Sequence, residues 1–181
     1  MNKTVKGCLL SAILFIFIIL GITFLLINRI DKSFVADKQK VDLSWEDYVK
    51  QLHYRNSILL KYDNVKNIYN QINKTENYLK QKHQPKKDLL NNEYVLNDSL
   101  RKYSNITTQI NLKLNKSLSI YNDNVTEFNT KYSSFPYNYL RIKKSVELYD
   151  HFEIQYGLDN SEILKKNQKI DDWIKNGGEL E

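Results

Sequence analysis

The chain begins with an unbroken apolar run, and that run limits what the remaining residues can do. Gly7 to Ile27 reads GCLLSAILFIFIILGITFLLI, with no charged side chain. A helix over this run, at about 1.5 Å per residue, covers roughly 31 Å, the thickness of a bilayer's hydrocarbon core. In lipid the backbone must satisfy its own hydrogen bonds, so the predicted form is a helix. A buried core helix would need a large apolar domain around it, and the rest of the chain is too polar to supply one. A cleaved signal peptide would close on small residues, whereas this run ends in Leu26, Ile27, Asn28, Arg29. Cys8, the only cysteine, stands at the start of the apolar run, whereas a lipoprotein cysteine would follow it. The expectation is an uncleaved, single-pass membrane helix over about 7–27, within an anchor of residues 1–30. Lipid is then the first partner.

Orientation is weakly marked. Lys3 and Lys6 flank one end; Arg29, Lys32, Lys38 and Lys40 flank the other, a slight lean toward a cytoplasmic soluble part. Of the 27 Lys and Arg, three (Lys3, Lys6, Arg29) lie in the anchor, leaving 24 against 21 acids. These charges are interspersed, without the single-sign run that tracks phosphates, so nucleic acid is not expected as a partner.

Glycine and proline are scarce past the anchor, which predicts long helices. Segment A, about 41–83, carries Val41, Trp45, Tyr48, Leu52, Arg55, Leu59 and Tyr62 in steps of four and three. The stripe then resets through Val65, Tyr69, Ile72, Glu76 and Leu79. Ser44 and Asp47 would suit a capping box if a helix began there. The competing picture is one continuous helix from the membrane. Pro85 suits the first turn of the next helix. Segment B, about 86–132, has the cleaner stripe: Leu100, Tyr103, Thr107, Ile110, Leu114, Ser117, Tyr121, Val125, Phe128, Tyr132.

A tight hairpin about Pro85 would bring Trp45 to Asn124 and Val125, Leu52 to Ser117 and Leu118, and Leu59 to Ile110 and Asn111. Arg55 would then face Leu114, Asn115 and Asn111, because a seam arginine must be paired or reach water. Two helices bury too little, so a third is expected to cover them. Ser133-Ser134-Phe135-Pro136 stops segment B, with Phe135 continuing the stripe over the end of the bundle. Residues 139–153 read as a short helix, or a helix plus an extended piece, broken at Gly157. A last helix starts at Asn160 or Ser161 and runs to about Lys175, capped by Gly177.

From Tyr121 the chain reads YNDNVTEFNTKYSSFPYNYL. This resembles the C-terminal signature of the LemA family, R-x-x-Y-N-x-x-V-x-x-Y-N-x-x-I-x-x-F-P-x-N. Tyr121, Asn122, Val125, Asn129, Phe135, Pro136 and Asn138 match it, with Phe128 in place of the usual Tyr. LYDHFE around Phe152 resembles the family's terminal aromatic-Phe-Glu. Trp45, Leu52, Arg55 and Leu59 resemble the pattern of its first long helix. The middle, Lys74 to Lys116, departs: neither the family's Ala-rich helix nor its glutamate-bearing third helix is recognisable there. The resemblance implies a single-pass bacterial membrane protein carrying a long-helix bundle, without an established catalytic mechanism and often associated with membrane-protease and envelope-stress systems.

Asn122 and Asn129, seven residues apart beside the seam, are expected to bond across to another helix and fix its register. His53, His83 and His151 are far apart, and zinc spacing, a nucleophile elbow, a phosphate loop and HExxH are all missing from the sequence. The expectation is therefore no catalytic residue, no metal and no cofactor. The reading is an all-α protein: a single transmembrane helix, a long antiparallel helical hairpin or bundle over 31–157, and a shorter C-terminal helix with its tail over 158–181. It acts as a membrane-anchored scaffold or interaction module with a protein partner in the membrane or envelope. Two alternatives stay open: a membrane-associated enzyme or accessory protein using an interhelical pocket, and a coiled coil that associates with itself. The structural and interaction candidates are Trp45, Arg55, Tyr121, Asn122, Val125, Phe128, Asn129, Phe135 and Pro136.

Overall fold

A computed structural model describes residues 3–81 and 86–176. Pro85 and Gly177, assigned above to a helix start and a helix cap, lie outside the described residues. The described residues are helical apart from turns and one extended segment, and no strand occurs among them. The order is α1 (Lys3–Leu59), a 3-10 turn (Asp63–Ile68), α2 (Tyr69–Leu79), α3 (Lys86–Leu100), a second 3-10 turn (Arg101–Tyr103), α4 (Ser104–Ser133), α5 (Tyr137–Lys143) and α6 (Ser161–Asn176).

Segment A is thus two helices, and so is segment B. The continuous helix from the apolar run is the form observed, so no helix starts at Ser44 and no capping box forms with Asp47. α1 ends where Tyr62 turns extended, at φ −101° and ψ 119°. Its last turn tightens through Lys61 N–H to Ile58 O and Tyr62 N–H to Leu59 O. The Tyr69 hydroxyl, from the next helix, lies 3.0 Å from the carbonyls of both Leu60 and Tyr62. Helix-end carbonyls left without intrahelical partners are satisfied in this way.

The residues form two compact units: Met1–Val41 with Glu127–Tyr149, and Asp42–Thr126 with Asp150–Glu181. In the first, α1 and α4 run antiparallel. Lys40 meets Glu127 at 2.7 Å, and Lys131 reaches Ser33 at 2.8 Å and Asp37 at 2.7 Å. Phe34, 2% exposed, packs on Phe128 and edge-on against Tyr132. This unit also contains one helical stretch long and apolar enough to cross a membrane; its side chains from Ile13 to Ile27 are exposed throughout.

In the second unit the α1–α4 pairing is offset from the predicted hairpin. Trp45 lies against Tyr121, with ring centroids 5.0 Å apart, instead of Asn124 and Val125. Tyr54 lies under Lys113. Leu59 clusters with Val65, Ile68, Ile72, Leu96 and Leu100, with Ile106 packed beside it, where Ile110 was expected. The shift is about one helical turn. Its cause is the broken middle: the 3-10 turns and the α2–α3 pair replace a direct return.

The stripes themselves are buried. Tyr121 and Val125 are 0% exposed and Phe128 2%. The third helix on this seam is α3, whose Lys86 lies over the Trp45 and Tyr121 rings and whose Leu96 and Leu100 join Leu59. An extended segment closes the rest, with burial alternating residue by residue at Phe152, Ile154 and Tyr156. That period of two belongs to an extended chain. Phe152 stacks on Trp45 and Tyr48. Of the two readings for 139–153, helix plus extended piece is the one observed. Phe135 does not cover the bundle end and is 86% exposed. α4 stops at Ser133, so Phe135 and Pro136 lie in the turn beyond it and leave the helical stripe. Gly157 breaks the extended segment at φ +85°.

Candidate functional site

The sequence presents Arg55 as a charged side chain on a seam, and the structure buries it completely, at 0% exposure. Its partner is Glu93 of α3, also 0% exposed. The two meet side by side: Nη1 to Oε2 at 2.5 Å and Nη2 to Oε1 at 2.9 Å. Arg55 is paired, as a seam arginine must be, but its partner is not the predicted set of Leu114, Asn115 and Asn111. The one-turn offset moves that face away, and α3 supplies the acid.

The pair sits in a network of further hydrogen bonds. Arg55 Nε and Nη2 also donate to Asn56 Oδ1, at 3.0 and 2.8 Å. Glu93 Oε1 accepts from the Thr75 hydroxyl at 2.7 Å, and Oε2 from the Tyr156 hydroxyl at 2.8 Å. Asn92 donates to Thr75 Oγ1 and to the Gln71 carbonyl. Asn56 Nδ2 donates to Glu76 Oε1, whose other oxygen meets His53 Nδ1 at 2.8 Å. Tyr48 and Tyr156 share a hydrogen bond through their hydroxyls.

Burial acts against each charged form here, and the pair answers it. Desolvation pushes the Glu93 carboxyl up, but the Arg55 guanidinium and the hydroxyl donors outweigh it and hold Glu93 below the ordinary carboxylate value. Desolvation works against the Arg55 charge, and Glu93 overcomes it, raising the guanidinium pKa further. Tyr48 and Tyr156 are raised well above the ordinary phenol value, first by burial and then by the Glu93 charge. The arrangement locks α1, α2, α3 and the extended segment of the second unit together through one anion and one cation.

The asparagines do something other than predicted. Asn122 donates to the Phe152 carbonyl at 3.1 Å and accepts the Phe152 N–H at 3.0 Å. Asn115, seven residues earlier, treats Tyr156 the same way, at 3.0 and 2.8 Å. Asn97 of α3 donates to the Leu158 carbonyl at 2.9 Å and accepts the Gly157 N–H at 2.8 Å. In the first unit, Asn129 does likewise for Tyr149, at 2.8 and 3.0 Å. No helix receives these bonds. The segment after Ser145 has no ladder of its own, so its N–H and C=O groups need side-chain partners. Seven helical residues advance about 10.5 Å, and the four residues from Phe152 to Tyr156 would cover about 13 Å if fully extended. The step from Asn115 to Asn122 therefore matches a slightly relaxed extended chain.

Beside this ladder, Lys86 lies over the Trp45 and Tyr121 rings, 4.6 and 5.1 Å from their centroids, and donates to the Tyr121 hydroxyl at 2.8 Å. Burial lowers the Lys86 pKa. Tyr121 in turn donates to the Asp150 carbonyl at 2.8 Å. Tyr94 of α3 donates to the Glu153 carbonyl, and burial pushes its hydroxyl pKa up to about 12.

Of the sequence candidates, Trp45, Arg55, Tyr121, Asn122 and Val125 lie in the second unit; Phe128, Asn129, Phe135 and Pro136 lie in the first. Phe128 packs on Phe34, Tyr132 and, edge-on, Tyr149. The sequence does not single out Glu93, Tyr156, Lys86 or the clamp that Asn115 makes on Tyr156. Two of them had a readable signal. Leu89, Glu93, Leu96 and Leu100 step by four and three, which places an acid on a seam opposite the seam arginine. Asn115 continues the heptad of Asn122 and Asn129. Among the described residues, no three His, Cys, Asp or Glu side chains group as metal ligands. No family model, no curated protein and no solved structure matches this chain.

Proposed function

We propose that this protein is a single-pass, membrane-anchored helical scaffold of the LemA type that binds a protein partner and has no turnover of its own. The anchor is the helix over 7–27, in the cell membrane, with the soluble part leaning toward the cytoplasmic side. The observation that carries the reading is the state of the Arg55–Glu93 pair. Its two members are sealed from solvent and saturated by each other and by neighbouring hydroxyl and amide groups. Groups in that state brace a core and have no open valence toward a substrate. The LemA-type reading draws support from the Tyr-Asn steps, whose asparagines clamp the segment carrying the aromatic-Phe-Glu resemblance.

The test is affinity capture from native membranes with the anchor intact, repeated with Leu112→Asp and Ile120→Asp, which alter exposed apolar side chains of α4. A partner held by the natural chain and released by a surface substitution supports the scaffold reading. Steady substrate turnover by the purified chain, abolished by Glu93→Gln while the fold is retained, would overturn it.

A further inference from the structure

In the first unit, the turn after α4 presents apolar side chains where a soluble protein would hide them. Phe135 is 86% exposed, Tyr139 60% and Ile142 66%. Phe135 and Tyr139 border a groove of about 810 Å³ whose opposite wall is α1 at Thr23, Leu26 and Ile27. Those three residues are the closing turns of the apolar run, where Leu25, Leu26 and Ile27 are themselves exposed.

We propose that the segment from Ser134 to Lys143 is a second membrane contact, a foot set into the headgroup and acyl boundary of the bilayer that α1 crosses. The inference rests on reading 7–27 as a membrane span. The occupant is lipid because the groove wall belongs to the span itself: whatever fills the groove lies at the depth where the span leaves the bilayer. Leu26, Ile27 and Ile30 of α1 line the same groove as Phe135, together with the polar Arg29, Ser33 and Lys131. Tyrosine suits that depth, with its ring among acyl carbons and its hydroxyl among headgroups. Cations complete the pattern. Arg29 and Lys131 line the groove, Lys32 and Lys143 are exposed on the same two helices, α1 and α5, and Lys144 is held by Asp31 at 2.5 Å. Lysine and arginine at such a boundary lay their stems along apolar surface and raise their charge to lipid phosphates. α5 thus rests against the membrane on Tyr139 and Ile142, while its buried Leu140 faces the protein.

The test uses the full chain in phosphatidylcholine vesicles containing phosphatidylglycerol. Cys8→Ala removes the one native thiol. An environment-sensitive fluorophore is then attached at Phe135→Cys, Tyr139→Cys, Phe17→Cys or Leu112→Cys, each alone. Lipids with a nitroxide near the headgroup are the quencher. The foot predicts quenching at 135 and 139 at least about twofold stronger than at 112, as for an interfacial apolar face, with strong quenching at 17 by deep nitroxides. Quenching at 17 with none at 135 and 139 would overturn the foot and leave the span standing. Shielding of 135 and 139 from both lipid and aqueous quenchers would overturn it in favour of a protein occupant. Absence of quenching at 17 would overturn the span reading, and the foot with it.

Discussion

Removing either member of the Arg55–Glu93 pair should destabilise the second unit, but acid should relieve only the loss of Arg55. Both groups are 0% exposed and bonded at 2.5 and 2.9 Å. Breaking a buried pair by removing one partner costs about 3–5 kcal/mol. In Arg55→Met the orphan is Glu93, which keeps only the Thr75 and Tyr156 hydroxyls as donors. It can escape by taking up a proton. Each tenfold gain in proton affinity corresponds to about 1.4 kcal/mol, so a several-hundred-fold gain on burial costs about 3–4 kcal/mol at pH 7. The sign follows from linkage. In the natural chain, Glu93 is held below its unfolded value, so its contribution is present above that value and lost as pH falls through the lowered pKa. In Arg55→Met the folded carboxyl lies above its unfolded value, so stability is recovered as pH falls and lost as it rises. Glu93→Gln strands a guanidinium that cannot discharge, and acid offers it no rescue. Arg55→Met with Glu93→Met should return to within about 1–2 kcal/mol of the natural chain, since apolar replacement of a whole buried pair is close to neutral. The assay is urea unfolding of the full chain in detergent, followed by Trp45 fluorescence in a Trp173→Phe background, at pH 4 and pH 7. A loss under about 1 kcal/mol for Arg55→Met, or the same loss at both pH values, would refute a sealed pair.

Three further outcomes follow from the same coordinates. Asn122→Leu removes both bonds to Phe152 and strands that residue's backbone groups, so urea unfolding should show a loss of about 2–3 kcal/mol. Gly157→Ala places a methyl 2.9 Å from Asn111 Nδ2 at φ +85°, so a thermal melt should fall by an amount worth about 1–2 kcal/mol. Tyr48 and Tyr156 keep their protons far above the ordinary value of 10.0 because burial disfavours the phenolate. Their contribution is complete below that pH and is lost as pH rises beyond it, so a late tyrosinate absorbance step should coincide with the loss of helical circular dichroism.

The helices were legible because their signals are local and repeated. Four-three spacing marks the stripe from Tyr103 to Tyr132, and nearly all of it is buried. The shortage of glycine and proline forecast long helices, and α1 runs unbroken from Lys3 to Leu59. The partnering of those stripes was not legible in the same way. A hairpin assumption fixed register from one proline, whereas the actual register depends on two 3-10 turns whose sequences, DNVKNI and RKY, carry no strong breaker. Arg55 announced a need for a partner without naming it, because Glu93 is distant in sequence and only the folded α3 brings it near. The asparagines were identified as register-setting residues, but their target was misjudged. A side-chain amide matches a peptide group equally well on a helix end or an extended chain, and sequence spacing does not distinguish the two.

Residues 150–156 of the second unit have no regular secondary structure, yet asparagine side chains hold them as firmly as a helix. Residue-resolved amide hydrogen exchange on the full chain measures this directly at Phe152 and Tyr156, whose N–H groups bond to Asn122 and Asn115. Protection of both amides on the scale of the α4 backbone is the predicted result. Exchange at both sites as fast as in an unstructured peptide would contradict it.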